Sequence, residues 1–408
     1  MKCRHCGAAL VLSMLDLGSA PPSNAYLNEQ SLHGPERWYP LRILVCERCW
    51  LAQTEDFARA DTLFDAEYAY FSGFSTSWLA HVECYVEQMC AHLSLGAASR
   101  VIEVAANDGA LLQFVHARGI PCLGIEPTAG TAAAARAKGL SIVEAFFGQS
   151  LARRLAAEGQ WADLMVANNV LAHVPDINDF VAGFAILLAP QGVATFEFPH
   201  LARLVAEGQF DTIYHEHFSY LSLTAVERIF AANGLALLDV ETLRTHGGSL
   251  RVIAQRSDTG RHRRDPRVDR LLQEEARLGM ASAGYYAGQQ ARVDRQKNDL
   301  LAYLIEAKRR GLAVGAYGAA AKGNTLLNYA GVRPDLLPYV VDRNPAKQGR
   351  YLPGSRIPIL SEDHLRRDRP DRVLLLPWNL RDELVAQLDY VRGWGGRFVL
   401  AVPELVEC

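Results

Sequence analysis

The sequence lacks any hydrophobic run long enough to cross a membrane, because no segment approaches the roughly 18 to 20 apolar residues that a spanning helix needs. It also lacks a strong excess of charge, since 42 basic and 45 acidic residues leave a formal net charge of -3. A chain this balanced has no general attraction to nucleic acid or to an anionic membrane. The first residues, MKCRHCG, contain no apolar signal core. We therefore expect a cytoplasmic protein without nucleic-acid or membrane partners, and a monomer is compatible with these features.

Cysteine is scarce, with 8 residues in 408, but four of them form two Cys-x-x-Cys pairs, Cys3 with Cys6 and Cys46 with Cys49. In a chain without a secretory signal, this pattern is typical of a tetrahedral zinc site rather than of disulfides. Four thiolates complete the coordination of the metal, so the expected zinc is structural. Redox-active or simply buried thiols are the alternatives. The remaining cysteines are expected to be small buried residues; they are Cys84, Cys90, Cys122 and Cys408.

The length of 408 residues predicts two or three domains, because a single core rarely grows past about 250 to 300 residues. After the cysteine-containing module, RVIEVAANDGALL at residues 100–112 has the pattern of a buried strand, a turn and a helix. PCLGIEP follows as a second strand. This alternation predicts a doubly wound α/β fold, in which ligands bind at the carboxyl ends of the strands.

The residues of the turn after the first of these strands indicate which of two classes of ligand is bound. A dinucleotide site favours several glycines around the pyrophosphate, but this turn has only Gly109, and Asp108 would repel a diphosphate. A carboxylate instead suits the ammonium and sulfonium groups of S-adenosylmethionine, and Glu126 ends the second strand where it could accept hydrogen bonds from both ribose hydroxyls. We therefore expect S-adenosylmethionine as the ligand. The residues expected to bind it follow strand ends and are Glu103, Asn107, Asp108, Gly109, Glu126, Pro127, Phe146, Phe147, Asn168 and Asn169.

The segment FDTIYHEHFSYL at residues 210–221, the YHEH segment, contains two histidines, a glutamate and two tyrosines. If the segment is extended, His215 and His217 share one face and Glu216 lies on the other. Histidine has the unperturbed pKa nearest to neutrality, so the segment predicts a catalytic acid/base centre. An exposed polar turn, or histidines satisfied in a core, is the alternative. The segment lacks the His-Glu-x-x-His helical spacing, which disfavours a zincin-type metal site.

His173 follows another buried strand, DLMVANN, and the YHEH segment follows the strand GVATFEFPH. Both strand ends lie on the carboxyl side of the predicted sheet. We therefore expect His173 and the YHEH segment to meet over one ligand. Farther along, HGGS predicts the turn of a hairpin.

A second α/β unit is predicted near the C-terminus from the strand patterns LAVGAYG, YVVDRNP, DRVLLLP and GRFVLAVP. The turn YGAAAKGNT carries Lys322 and no acid, and a lysine beside the amides of a helix N-terminus suits a phosphate. The Walker pattern is absent, which disfavours a triphosphatase, and a scaffold without a ligand is the alternative. A cationic methyl donor in one unit and a phosphate ester in the other indicate a methyltransferase that acts on a nucleotide-linked substrate.

Nearly the whole chain resembles the zinc-containing, S-adenosylmethionine-dependent sugar C-methyltransferases of deoxysugar biosynthesis. The resemblance depends on the paired Cys-x-x-Cys, on VANNVLAHVPD, on YHEHFSYLS, and on YGAAAKGNTLLN with VDRNPAKQGRYLPG. With the patterns above, it implies an α/β protein of four parts. These are a zinc-binding module at 1–65, a Rossmann-like methyltransferase domain at 66–256, a helical connector at 257–300, and a second Rossmann-like domain for the nucleotide sugar at 301–408.

The resemblance also implies roles for particular residues. His217 would be the general base, and zinc would bind the two cysteine pairs. The residues implied around the sugar are Tyr68, His173, Tyr214 and Glu216. The nucleotide part of the substrate is expected at Tyr317, Ala320, Lys322, Asn324 and Asp342. Ala105 and Ala106 depart from the family pattern, since glycine is commoner there in methyltransferases.

The reaction implied is methylation at C3 of an NDP-linked 4-keto-deoxysugar, with dTDP as the expected carrier. A base removes the proton next to the ketone, Tyr214 stabilises the enolate oxygen, and the carbon takes up the methyl group. Three alternatives stay open at this point. They are an O- or N-methyltransferase acting on a nucleotide-linked sugar, an NAD-dependent oxidoreductase, and a non-enzymatic binding or scaffold protein.

Overall fold

Three β-sheets organise the chain. The computed structural model describes residues 1–57 and 71–408. One sheet lies in the cysteine-containing module, one in the central region and one near the C-terminus. The last two are mostly parallel and alternate with helices, which confirms the predicted α/β class with a small N-terminal module and two Rossmann-like units. The predicted boundary between residues 65 and 66 lies outside the described residues.

The N-terminal sheet is antiparallel and contains one strand from far along the chain. Its order is β1-β2-β3-β9. Its strands are β1 (Leu12–Ala20), β2 (Tyr39–Val45), β3 (Ala52–Thr54) and β9 (Ser219–Tyr220). Ala52 pairs with Tyr220 and Gln53 with Ser219. The end of the YHEH segment therefore belongs to the sheet of the cysteine-containing module.

The central sheet has the order β10-β11-β8-β7-β4-β5-β6. Its strands are β4 (Val101–Val104), β5 (Cys122–Ile125), β6 (Ile142–Val143), β7 (Ala162–Asn168), β8 (Leu188–Pro199), β10 (Leu235–Leu243) and β11 (Ser249–Arg256). The strands from β8 to β6 are parallel, and the β10–β11 hairpin adds an antiparallel edge, as the HGGS turn predicts. The chain reverses its direction of growth between β4 and β7, which opens a crevice at their carboxyl ends.

The C-terminal sheet repeats this plan in the order β14-β13-β12-β15-β16-β17. Its strands are β12 (Val314–Tyr317), β13 (Val340–Val341), β14 (Ile359–Leu360), β15 (Arg372–Leu375), β16 (Arg397–Leu400) and β17 (Val406–Glu407). All of these pairs are parallel except β16 with β17. The continuous apolar runs of the predicted strands fit a sheet buried on both faces.

Helices cover the two parallel sheets and connect them. Those of the described residues are α1 (Thr76–Leu93), α2 (Leu112–His116), α3 (Ala129–Ala137), α4 (Gln149–Ala157), α5 (Ile177–Leu187), α6 (Leu201–Glu207), α7 (Leu223–Ala232), α8 (Pro266–Leu278), α9 (Ala283–Tyr286), α10 (Gln289–Arg309), α11 (Ala321–Ala330), α12 (Glu362–Asp368) and α13 (Arg381–Gln387). Helices α8 and α9 lie within residues 257–300, where a helical connector is predicted, and α10 begins there but continues to Arg309. No helix in the described part of the chain is both long and apolar enough to cross a membrane.

One apolar core joins the N-terminal sheet, the start of the YHEH segment and the C-terminal unit. Ile43 of β2, Phe210, Ile213 and Leu327 of α11 are buried in this cluster. The YHEH segment thus packs between the N-terminal sheet and the C-terminal unit and is buried. The alternative of an exposed polar turn is therefore wrong. The burial expected for the unpaired cysteines is also wrong, because Cys84 is exposed and the other three are half-buried. Cys90, Cys122 and Cys408 pack at the margins of apolar clusters, whereas Cys84 lies on the solvent side of helix α1.

Candidate active site

A cavity of about 350 Å³ lies at the carboxyl ends of the central strands and reaches the C-terminal unit. One wall consists of the end of β4, with Glu103, and the first residues after β5 and β7, with Glu126 and Asn169. The YHEH segment forms a second wall with Tyr214 and His217. Lys322 at the start of α11 closes the opposite side. The fold therefore brings the two predicted ligand regions and the predicted acid/base centre to one space.

The turn after β4 adopts an unusual backbone conformation. Ala105, Asn107 and Gly109 have φ values of 59, 50 and 75°. A left-handed alanine costs about 1–2 kcal/mol, so the departure from glycine at Ala105 leaves local strain. Gly109 is required by packing as well, since a Cβ there would lie 2.2 Å from Leu140 Cδ1. The turn exposes Asn107 to the cavity while Asp108 and Gly109 lie behind its lining. Asp108 pairs instead with Lys138 at 3.2 Å.

Two buried glutamates stand at neighbouring strand ends. The Glu126 carboxylate accepts hydrogen bonds from the backbone N–H groups of Asn107 and Thr128, both at 2.9 Å, and so fixes both turns. Glu103 Oε2 is buried with no hydrogen-bond partner among the residues that the structure describes. Burial, followed by repulsion from Glu126 and Asp108, raises the pKa of Glu103 well above its ordinary value. An acceptor of this kind suits a ligand that brings hydrogen-bond donors or positive charge.

The end of β7 presents two adjacent amides to the cavity. Both polar atoms of the Asn168 side chain and Asn169 Oδ1 are buried without a partner within residues 1–57 and 71–408. Asn169 Nδ2 lies 3.2 Å from His246 Nε2. Because His246 sits in the turn between β10 and β11, the predicted hairpin reaches into the site. Burial lowers the pKa of His246 to about 4, so the ring is neutral near pH 7.

Pro127, Phe146 and Phe147 complete the wall on the side of β5 and β6. Phe146 is half-exposed, whereas Phe147 packs edge-on against Phe180 and Phe184 at centroid distances of 5.7 and 5.1 Å. Phe146 is therefore the freer of the two rings to adapt to a planar ligand. Their contact with an adenine stays a prediction.

The YHEH segment is a turn rather than an extended stretch. The His217 N–H donates to the Tyr214 carbonyl oxygen at 2.9 Å, which places the side chains of these two residues on the cavity side. His215 points away and lies 3.3 Å from the carbonyl oxygens of Tyr39 and Pro40. The expectation that His215 and His217 share a face is therefore wrong, because the turn abolishes the alternation of an extended chain.

His217 stands between His173 and Tyr214. Its ring centroid lies 4.6 Å from that of His173 and 4.0 Å from that of Tyr214, so the expected meeting of His173 with this segment is confirmed. Burial, and then the proximity of His173, lowers the pKa of His217 well below its ordinary value. Burial also lowers the pKa of His173 to about 4. Both rings are consequently neutral at physiological pH, which is the state that a general base needs.

Glu216 and Tyr68, which were also predicted here, stand apart from this pair. The Glu216 carboxylate does not line the cavity and accepts hydrogen bonds from the backbone N–H and side-chain amide of Asn24, at 3.3 and 3.2 Å. Burial raises its pKa. Its backbone oxygen accepts a hydrogen bond from His173 Nδ1 at 2.8 Å. Tyr68 lies outside the described residues.

Two lysines line the cavity from the C-terminal unit. Lys322 Nζ donates to Asn379 Oδ1 at 2.6 Å. Lys347 Nζ donates to the Ala319 carbonyl oxygen at 2.8 Å, and its charge lies 5.3 Å from the centre of the Tyr26 ring. Two cations at one wall can attract an anionic ligand.

The other residues predicted for the nucleotide occupy different places in this unit. Ala320 lines the cavity beside Lys322. Asp342 supports the turn by accepting a hydrogen bond from the Ala319 N–H at 2.7 Å. Tyr317 accepts one from Gln387, and Asn324 donates to the Ser23 carbonyl oxygen, so both side chains point away from the cavity lining.

The four paired cysteines converge. Their sulfur atoms all lie within 4.8 Å of one another, with Cys3 and Cys49 at 3.5 Å and Cys6 and Cys46 at 3.5 Å. A tetrahedral zinc thiolate centre, with Zn–S bonds of about 2.3 Å, requires S···S separations of about 3.8 Å. The side chains therefore fit zinc with small adjustments, and with four sulfur ligands the centre has no open position for a reactant.

Sequence reasoning missed His246, Lys347 and Asn24 at this site. HGGS suggested only a turn, and Lys347 lies in a loop without a recognisable phosphate pattern. Asn24 lies in the stretch APPSN, whose composition predicts only a turn. The proline and glycine residues around Lys347 are the one signal that this loop has a fixed shape.

Comparisons with known proteins divide the chain in three. Residues 3–64 match a family model for a zinc binding domain, residues 78–240 one for a methyltransferase domain, and residues 244–403 one for a C-methyltransferase C-terminal domain. The chain is 34% identical over 406 residues to the C-methyltransferase NovU of Streptomyces niveus. That match covers 99% of this chain and 96% of the relative.

Solved structures give weaker likenesses. The magnesium protoporphyrin IX methyltransferase of Synechocystis PCC 6803 is 16% identical, with a TM-score of 0.34, over 44% of this chain and 79% of that one. The PH0226 protein of Pyrococcus horikoshii is 15% identical, with a TM-score of 0.39, over 46% and 95%. Both TM-scores are below 0.5, so the family assignment depends on the family models and on the full-length relative.

Proposed function

The chain belongs to the S-adenosylmethionine-dependent C-methyltransferases, and from this premise we propose that it methylates C3 of a dTDP-linked or other NDP-linked 4-keto-deoxysugar. One observation carries the proposal. A neutral histidine beside a tyrosine, His217 with Tyr214, faces a cavity with two lysines opposite. At the central strand ends, this cavity has acceptors without a hydrogen-bond partner among the described residues. A cationic methyl donor, a keto sugar and a diphosphate correspond to these three walls.

The orphaned acceptors support S-adenosylmethionine at the central strand ends. In this proposal Glu126 would accept hydrogen bonds from the ribose hydroxyls, and Glu103 with the two asparagines would contact the amino-acid part. When bound, S-adenosylmethionine supplies an electrophilic methyl group to a carbon nucleophile. The protein holds the two reactants in line and excludes water from between them. Lys322 and Lys347 would bind the diphosphate of the second substrate.

His217 would generate the nucleophile. A hydrogen bond from Nδ1 to the Thr212 carbonyl oxygen, at 2.9 Å, leaves the lone pair of the neutral ring on Nε2. Nε2 takes the proton from C3, and the electron pair of the C3–H bond moves toward the C4 oxygen to give an enolate. Tyr214 would stabilise that oxygen by donating a hydrogen bond, and its place beside the base suits this role. His173 would hold the neighbouring part of the sugar.

The test is hydrogen exchange followed by transfer. Purified protein is incubated in deuterated water with dTDP-4-keto-deoxysugar and S-adenosylhomocysteine, and C3 is followed by NMR. We expect exchange at C3 that requires His217 and is lost in His217→Asn. Addition of S-adenosylmethionine is expected to give a 3-C-methyl product.

Two control ligands separate the alternatives. Methyl transfer to the same sugar after its ketone has been reduced would contradict C-methylation and favour an O-methyltransferase. Tight binding of NAD without binding of S-adenosylmethionine, measured by calorimetry, would contradict the assignment of the first crevice.

A further inference from the structure

Trp378 connects the C-terminal unit with the segment that carries the proposed base. It lies in the loop after β15, and its indole Nε1 donates to Asp211 Oδ2 at 2.7 Å. Asp211 is 0% exposed and belongs to the short turn of helix just before Tyr214. This hydrogen bond therefore ties the two walls of the cavity together behind its lining.

The same indole is in contact with a cation. Lys322 Nζ lies 4.7 Å from the centre of the Trp378 ring, within the range of a cation–π contact. A Cβ on Gly247 would lie 2.5 Å from Trp378 Cη2, so the hairpin turn that presents His246 also packs on the indole. One aromatic side chain thus touches the loops of three cavity residues: Lys322, His246 and, through Asp211, Tyr214.

The indole of Trp378 lies between a carboxylate, Asp211, and an ammonium, Lys322. A carboxylate that accepts the indole N–H increases the electron density of the ring, which strengthens its attraction for an ammonium. Asp211 Oδ1 is buried and has no hydrogen-bond partner in the parts of the chain that are described. Burial raises the pKa of Asp211 to about 6, and Lys322 and the indole N–H oppose that shift, so the carboxyl group is largely ionised above neutral pH. Burial lowers the pKa of Lys322, and Asp211 opposes that shift.

We propose that Asp211 and Trp378 are positioning residues that hold the Lys322 ammonium at the cavity wall and so set the affinity of the site for the diphosphate of the substrate. The role of Lys322 as the diphosphate contact rests on the proposed function. Neither Asp211 nor Trp378 lines the cavity, so both would act through Lys322. The arrangement also makes anion binding sensitive to the position of the YHEH segment.

The experiment is a calorimetric titration with thymidine diphosphate and, separately, with S-adenosylhomocysteine. Asp211→Asn removes the charge but keeps an acceptor, Trp378→Phe keeps a ring but removes the N–H, and Lys322→Met removes the cation. Trp161→Phe is the matched control, because Trp161 is 42% exposed and does not line the cavity. Each change is made in the wild type and, except for Lys322→Met itself, again in the Lys322→Met background.

We expect Asp211→Asn and Trp378→Phe each to weaken thymidine diphosphate about tenfold in the wild type, and by less than about twofold in the Lys322→Met background. Affinity for S-adenosylhomocysteine is expected to stay within about twofold. Equal losses of thymidine diphosphate affinity in the wild type and in Lys322→Met would overturn the proposal. A parallel loss of S-adenosylhomocysteine affinity would also overturn it, because both results indicate general structural damage. If Asp211→Asn does not fold, the cycle with Trp378→Phe decides alone.

This result is separable from the proposed function. Methyl transfer to the keto sugar without coupling in the cycle would leave the function standing and overturn the positioning role. Coupling between Lys322 and its two neighbours without methyl transfer would support the positioning role and overturn the proposed function. Failure of the wild type to bind thymidine diphosphate would overturn the positioning role directly.

Discussion

His217 Nδ1 lies 2.9 Å from the carbonyl oxygen of Thr212, so the backbone itself selects the tautomer of the proposed base. The contact lies within one turn of chain and needs no second side chain to orient the ring. A carboxylate is the commoner partner in catalytic histidines and would raise the pKa of the ring. The carbonyl oxygen orients His217 without adding a negative charge beside it.

The first prediction follows from this geometry. His217→Asn removes the lone pair that accepts the C3 proton, and we expect kcat to fall about 10²–10⁴-fold. The dissociation constant of S-adenosylmethionine, measured by calorimetry, is expected to change little. His215→Gln is the matched control, because His215 lies outside the cavity and contacts backbone oxygens of β2. An equal loss of kcat in both variants would argue against a proton-transfer role.

The second prediction concerns pH. A base acts when unprotonated, and the lowered pKa of His217 means that the ring stays neutral to a lower pH than a free histidine. The acid limb of kcat/KM is therefore expected below about pH 6.5, the ordinary pKa of histidine. His173, Tyr214 and Tyr220 surround the ring and supply no negative charge near neutral pH that would reverse the shift. A limb centred near or above that pH would contradict the buried surroundings of His217, in which the nearby charge, Lys322, also lowers its pKa.

The third prediction concerns the methyl donor. Glu126→Gln replaces one carboxylate oxygen with an NH2 group, so only one of the Asn107 and Thr128 N–H groups keeps its acceptor and one of the two turns is loosened. We expect the dissociation constant of S-adenosylmethionine to rise about tenfold, while kcat at saturation changes less. Glu144→Gln is the control, since Glu144 is exposed and pairs only with Arg136 at the surface. A change in kcat without a change in affinity would place Glu126 elsewhere in the reaction.

The fourth prediction concerns zinc. We expect about one zinc per chain by elemental analysis, and Cys46→Ser to lower both the zinc content and the midpoint of thermal unfolding. Gln53 Nε2 lies 3.3 Å from Cys3 Sγ, and Gln53 pairs with Ser219, so kcat is expected to fall as well. Cys84→Ser should leave all three quantities unchanged, because Cys84 is exposed and distant in sequence from the paired cysteines. Full activity without zinc would contradict this connection.

Sequence patterns predicted those parts of the fold that depend on interactions between residues close together in the sequence. Continuous apolar strands, polar residues at their carboxyl ends and closely spaced cysteines each depend on neighbours in sequence, and these features appear where expected. The turn that pairs Tyr214 with His217 could not be predicted in this way, because its shape is imposed by packing between β2 and α11. His246, Lys347 and Trp378 reach the site through tertiary contacts, and no local pattern around them indicates a place in this cavity.

Strand β9 gives the N-terminal sheet its last pair of residues, and those residues follow the proposed base by two and three positions. The module that holds the metal is therefore completed by the chain that performs the chemistry. An exchange of residues 3–64 between two relatives would replace β3 and leave its partner β9 unchanged. The three segments that match family models are therefore not structurally independent. Recombination at their borders would transfer the zinc-binding module without β9, the strand that completes its sheet.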